Sequence, residues 1–160
     1  MKLTTLCFLI KDDEILLAMK KRGFGVGRWN GVGGKVHEGE SIEAAAVREA
    51  KEEIGVTIRE ENLTKVAVQR FEFKDRPDLE QECHVFLAHR WRGEPVETEE
   101  MAPRWFSTGE IPWKEMWVDD PYWLPLALEG KRLKNRFLFS ADTNELLSQE
   151  VAVVPETEAL

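Results

Sequence analysis

Cysteine, tyrosine and excess positive charge are scarce in this 160-residue chain, and each scarcity closes off a class of protein. Two cysteines, Cys7 and Cys83, lie far apart in apolar, strand-like runs, so they read as small buried hydrophobes in a reducing compartment and no disulfide framework is expected. Lys and Arg number 22 against 30 Asp and Glu, a net charge of −8, which disfavours a face that tracks a nucleic-acid polymer. An anionic small molecule stays open to such a protein if metal ions bridge. Long apolar runs are missing too: Leu3 to Ile10 ends in Lys11-Asp12-Asp13-Glu14, short of the roughly 20 residues a membrane span needs and without a cleavage-like site. Neither internal repeats nor low-complexity segments occur. One domain over residues 1–160 is expected, with a frayed tail after about residue 154. No exposed apolar stripe is evident, so a cytoplasmic monomer without a membrane partner is expected.

Residues 3–10 and 14–20 are apolar and β-rich around Lys11-Asp12-Asp13, which predicts a hairpin. Residues 21–35, KRGFGVGRWNGVGGK, hold six of the eleven glycines and read as a loop whose backbone approaches a ligand or metal. Residues 65–74 and 83–91 predict an antiparallel pair, and 92–102 an acidic loop able to fold back on the preceding helix. Four of the six tryptophans fall in 104–125, either as core or as a stacking wall for a planar ligand. Asp119-Asp120-Pro121 reads as a helix start, with Asp as cap, leading to Leu128. Residues 133–140 and 145–153 suggest a last strand pair. Helices inserted among short strands predict an α+β fold with mixed sheets.

The strongest chemical signal is GKVHEGESIEAAAVREAKEEIGV, residues 34–56. Ser41 can cap a helix that Gly55 stops, and Glu49, Glu52 and Glu53 fall within a sector of about 100° on it. Three crowded carboxylates call for a cation, and oxygen ligands without His or Cys suit Mg²⁺ or Mn²⁺.

Read as Gly34, five residues, Glu40, seven residues, Arg48-Glu49, then Glu52-Glu53 and Gly55, this stretch resembles the Nudix box. Seven such identities coincide by chance about once in a hundred million windows. Ala50 departs from the bulkier aliphatic usual there. Further stretches resemble the branch of that family acting on oxidised purine nucleoside triphosphates: MKKRGFGVGRWNGVGGKV (19–36), FEF (71–73), HVF (84–86), GEPVE (93–97) and IPWKEMWVDDPYW (111–123).

The resemblance implies an α/β/α sandwich with the box helix and a C-terminal helix packed on mixed sheets. It also implies Mg²⁺-dependent hydrolysis of a modified purine nucleoside triphosphate to monophosphate and pyrophosphate. Carried onto this sequence, Glu49, Glu52 and Glu53 become metal ligands with the Gly33 carbonyl and Glu100, and Arg48 orients the glutamates. Glu53, or else Glu100, takes the proton of the attacking water. Asn30, Trp117, Asp119 and Asp120 surround the purine, Thr5, Phe24, Phe71 and Met101 line its pocket, and Lys20 lies near sugar and phosphates. One protonated and one ionised aspartate would offer the base both a donor and an acceptor. Gln81, the 74–80 turn and the tail after Asn144 depart from the pattern. Hydrolysis of another diphosphate-linked substrate (a dinucleotide polyphosphate, NADH or an RNA cap) and a silent nucleotide-binding module are the alternatives.

Overall fold

A computed structural model describes all of residues 1–160. Eight strands form one mixed sheet: β1 (Lys2–Lys11), β2 (Glu14–Lys20), β3 (Trp29–Asn30), β4 (Leu63–Phe73), β5 (Gln81–Ala88), β6 (Met101–Ser107), β7 (Arg132–Phe139) and β8 (Leu146–Val154). The order is β3-β2-β1-β5-β4-β7-β8, with β6 on the other edge of β2. Strands β1 and β5 run parallel, as do β4 and β7, and the remaining pairs are antiparallel. Helix α1 (Ile42–Ile54) and helix α2 (Asp120–Leu128) cover opposite faces. The expected sandwich is therefore present, and no helix is long and apolar enough to cross a membrane.

Alternation along the strands divides the core. Cys7, Leu9 and Phe86 pack with Ala46, Ala50 and Ile54 of α1, whereas Leu6, Phe8, Cys83 and Val85 pack with Trp123, Leu124 and Ala127 of α2. The two cysteines are free, buried and on opposite faces of the sheet. Ala50 is fully buried against the sheet, where its small side chain lets the helix lie close.

Three expectations need correction. The hairpin at Lys11–Glu14 exists, but β1 and β2 pair only at Ile10–Ile15 and Lys11–Glu14 before β1 turns away to run beside β5. Residues 101–107, read as the end of an acidic loop and the start of an aromatic segment, form β6 along the whole of β2. Asp119 does not cap α2: its carboxylate instead accepts from the indole N–H of Trp123, one turn on, at 2.9 Å. Ser41 and Gly55 do cap α1 as expected. The Ser41 hydroxyl accepts from the amide of Ala44, and Gly55 takes the left-handed conformation (φ +76°).

Candidate active site

Where β1 diverges from β2, the chain from Asn30 to Lys35 fills the gap. Backbone bonds Cys7 N–H to Val32 O (2.7 Å) and Thr5 N–H to Gly34 O (2.9 Å) lay it against β1. Only glycine fits at Gly33, because a Cβ there would stand 1.9 Å from the Thr5 carbonyl oxygen. A Cβ on Gly34 would meet the Glu49 carboxylate at 2.5 Å. This glycine strap thus presses directly on the carboxylate helix.

On α1 the three glutamates have separate surroundings. Glu53 is 7% exposed, and its carboxylate accepts from the Gly33 N–H at 2.7 Å. Burial pushes its carboxyl up to about 8, with the charges of Glu49 and Glu100 adding and the Gly33 amide opposing. Arg48 holds the rest: it bonds Glu40 at 2.7 Å, Glu49 at 3.0 Å, Glu52 at 3.2 Å and the Lys35 carbonyl at 2.9 Å. Hydrogen bonds from Arg48, then the His37 amide, hold Glu40 down at about 2. The Glu52 side chain is largely exposed although its neighbour Glu53 is buried. Glu100, half-exposed, is held by Arg22.

No three acidic, imidazole or thiol side chains converge on one point. Like charges without a cation settle on the nearest donors, here Arg48, Arg22 and the Gly33 amide. The donors nonetheless fit a hard divalent cation. They are oxygens only, one is a buried carboxylate crowded by the charges of two others, and Glu53 and Glu49 lie directly against the strap.

From the strap a cavity of about 430 Å³ leads to the start of α2. It is lined by all nine residues expected around the base and sugar, from Thr5 and Lys20 through Phe71 and Met101 to Asp119 and Asp120. Lys2, Lys20, Arg28 and Lys35 give its walls positive charge in an acidic protein. Phe24 tilts against Trp117 (5.1 Å between centroids), and Phe71 packs between Phe137 and Phe139. Trp117 thus belongs to the wall, whereas Trp123 is core. Asn30 accepts from the Gly31 amide at 2.8 Å, and the Thr5 hydroxyl is buried without a partner.

At the cavity's end Asp119 and Asp120 are each 2% exposed. Burial pushes the Asp119 carboxyl up to about 6, against the Trp123 hydrogen bond and the charge of Arg28. Asp120 is raised well above the ordinary range by burial and then by Asp119, and one of its oxygens has no partner. Both carboxyls therefore keep their protons to higher pH than exposed aspartates do. Gln81 lies on the wall, accepting from the Thr4 hydroxyl at 3.0 Å, so its polar end is turned to β1.

Sequence reasoning missed Thr98 and Arg28. The Thr98 hydroxyl donates to the Glu53 carbonyl at 2.8 Å and ties the acidic segment before β6 back onto α1. A Thr three residues before β6 in an acidic run gave no chemical signal. Arg28 stacks on Trp117, with Cζ 4.1 Å from the ring centroid. Within KRGFGVGRWNGVGGK nothing local sets Arg28 apart from the other basic residues.

Several known proteins are similar to this chain. The chain is 45% identical over 153 residues to the oxidized purine nucleoside triphosphate hydrolase of Mus musculus, covering 96% of each. It is 47% identical over 138 residues to the protein of that name from Danio rerio, covering 86% of each. Among solved structures, a MutT protein of Bacillus halodurans superposes with a TM-score of 0.83 at 27% identity, over 94% of this chain and 97% of that one. The NUDIX domain model matches residues 1–127, and with four-fifths of its length so matched the chain belongs to the Nudix family.

Proposed function

We propose that this protein hydrolyses oxidised or otherwise modified purine nucleoside triphosphates to the nucleoside monophosphate and pyrophosphate, with Mg²⁺, and so cleanses the nucleotide pool. The observation that carries the reading is the buried Asp119–Asp120 pair at the end of an aromatic-walled cavity whose other end is the Gly33–Gly34 strap. A purine placed against the pair puts its triphosphate toward Lys20, Lys35 and the glutamates. The two relatives named for oxidized purine nucleoside triphosphate hydrolysis support it.

In this reading Glu49, Glu52, Glu53, Glu100 and the Gly33 carbonyl hold the cation. Bound there, it supplies Lewis acidity and a lowered water pKa. Arg48 aims the glutamates, and Glu53, next to the strap, takes the proton of the attacking water. Asp120, protonated, donates to the purine edge, while ionised Asp119 accepts; moving the proton reverses the roles and admits differently oxidised bases. Phe24, Trp117 and Phe71 hold the ring plane. The protein works as a monomer in a reducing cytoplasm, which its free, buried cysteines suit.

Steady-state hydrolysis of 8-oxo-dGTP, 2-oxo-dATP, O6-methyl-dGTP and dGTP, with products followed by phosphorus NMR, tests this. Modified purines should lead in kcat/KM, with pyrophosphate as co-product. Preference for dGTP, or for a non-nucleotide diphosphate, refutes the sanitising reading.

A further inference from the structure

The turn from Ser140 to Glu145, joining β7 to β8, is built to hold one shape. The Ser140 N–H donates to the Glu145 carbonyl (2.9 Å), Thr143 N–H reaches the Ser140 carbonyl (2.9 Å), and Asp142 accepts from both the Ser140 hydroxyl (2.6 Å) and the Asn144 amide (3.0 Å). Within it Thr143 sits at φ +67°, where β-branched residues are rarely found. Backbone held in that region by surrounding bonds marks a place where shape is used. Thr143 and Asn144 are the residues that face the glycine loop: the Arg28 guanidinium donates to Asn144 Oδ1 at 3.0 Å and to Thr143 Oγ1 at 3.3 Å.

Arg28 makes a second contact with its other surface. Its planar guanidinium lies over the Trp117 ring while its edge serves the turn, a combination lysine cannot match. Trp117 is half-buried against the core, with two aromatic neighbours. Phe139, at the end of β7, meets it edge-on at 5.7 Å, and Phe24 is itself 40% exposed. Gly25, at φ +87°, leaves room for the indole, since a Cβ there would press on it at 3.3 Å. Without Arg28 the ring plane rests on Phe24, the edge contact with Phe139 and packing against the core. The Arg28 charge also acts on Asp119 and Asp120, offsetting part of what burial costs their ionised forms.

We propose that Arg28, clamped by the Ser140–Glu145 turn, is a positioning residue for base recognition. It fixes the Trp117 ring plane beside the aspartate pair and so makes the β7–β8 turn part of the specificity apparatus. This rests on the base-pocket reading above. It concerns a residue and a turn that the resemblance assigned no role, and the turn lies where this sequence begins to depart from the pattern.

Two measurements test it, neither dependent on turnover. In the first, the Trp117 indole N–H resonance, identified by its loss in Trp117→Phe, is compared among the parent, Arg28→Met and Asn144→Ala. It should move in both variants, further in Arg28→Met. In the second, calorimetry follows binding of 8-oxo-dGMP and dGMP. Loss of a partly buried cation–aromatic contact should weaken 8-oxo-dGMP by about 3- to 10-fold in Arg28→Met. Asn144→Ala should give a smaller loss and add nothing to Arg28→Met in the double variant, since it acts only through Arg28. Arg28→Lys should restore little of the resonance position.

An unmoved Trp117 resonance in Arg28→Met, binding of 8-oxo-dGMP within twofold of the parent, or additive losses in the double variant would each overturn the proposal. If the parent itself fails to prefer 8-oxo-dGMP over dGMP, the oxidised-purine reading falls. The resonance then decides the clamp alone.

Discussion

Replacing Asp119 by Asn removes a titrating carboxyl while keeping an oxygen that can accept from the Trp123 indole, so the change isolates charge from packing. In the folded protein the Asp119 carboxyl is pushed up to about 6, and burial is the main cause. Unfolded, it titrates near 3.9. A raised carboxyl binds more protons folded than unfolded. Its contribution is therefore fully present below about pH 4 and is lost as pH rises through about 6. Two units at 1.36 kcal/mol each make the full loss about 3 kcal/mol, of which roughly 1.5 kcal/mol falls between pH 5 and 8. Urea unfolding of parent and Asp119→Asn across that range reads it together with the change that loss of the Asp119 charge brings to Asp120, while titrating groups away from the pair are common to both and cancel. Relative to the parent, the variant should gain about that much as pH rises. A stability difference that stays flat with pH refutes the reasoning, as it means that Asp119 titrates normally or that its proton is never released. Catalysis supplies an independent check: if Asp119→Asn and Asp120→Asn both keep parental kcat/KM and pH profile on oxidised dGTP and dATP, the shared-proton account of the base edge is wrong.

Other expectations turn on the strap and the helix. Gly33→Ala sets a methyl against the Thr5 backbone and should cost several kcal/mol in thermal or urea unfolding, since neither strand can yield. Gly34→Ala meets only the terminal carboxylate of Glu49 and no backbone, so it should keep most of its stability and instead weaken Mg²⁺ binding in metal titrations. Equal destabilisation by the two would contradict this division. Glu53→Gln should lose turnover with Mg²⁺ while its circular dichroism and melting stay parental, because the amide oxygen can still accept from Gly33. Retained turnover would remove Glu53 from the reaction.

How much of this was legible in the sequence depends on the range of the interactions. Helix α1 was readable because its ends are local: Ser41 and Gly55 carry their capping chemistry in their own side chain and backbone. Strand β6 was not. Pro103 and the acids before it argue against a strand, but β6 lies on an edge and pairs only with β2, where a missing N–H faces outward at little cost. The turn between β1 and β2 was visible, yet the parallel pairing of β1 with β5 is set some 80 residues away and leaves no local trace. Asp119 illustrates a contest between two local readings. Asp before Asp-Pro is a cap by composition, but Trp123 one turn on offers an indole donor inside the core, and the buried bond is the one formed. The site residues followed the same rule. Identities at box spacing found the glutamates, whereas their separate environments come from contacts across the fold: Glu53 against Gly33, Glu52 outward, Glu100 on Arg22.

That separation bears on how the two ends of the cavity cooperate. Arg48 is engaged four ways and Glu53 is wedged under the strap, so the helix end of the cavity is rigidly held. The base end is assembled differently, from the loop at 21–30, the start of α2 and the β7–β8 turn, which meet through Arg28, Trp117 and Asn144. A change of base preference can then arise in three segments without disturbing the carboxylates. Gly33 and Gly34 are where the two ends are mechanically joined, since the same short strap bonds β1, bears on Glu49 and Glu53, and lines the cavity. Substitutions that alter specificity while sparing metal affinity should therefore lie beyond the strap, on the side of Asn30 and Trp117.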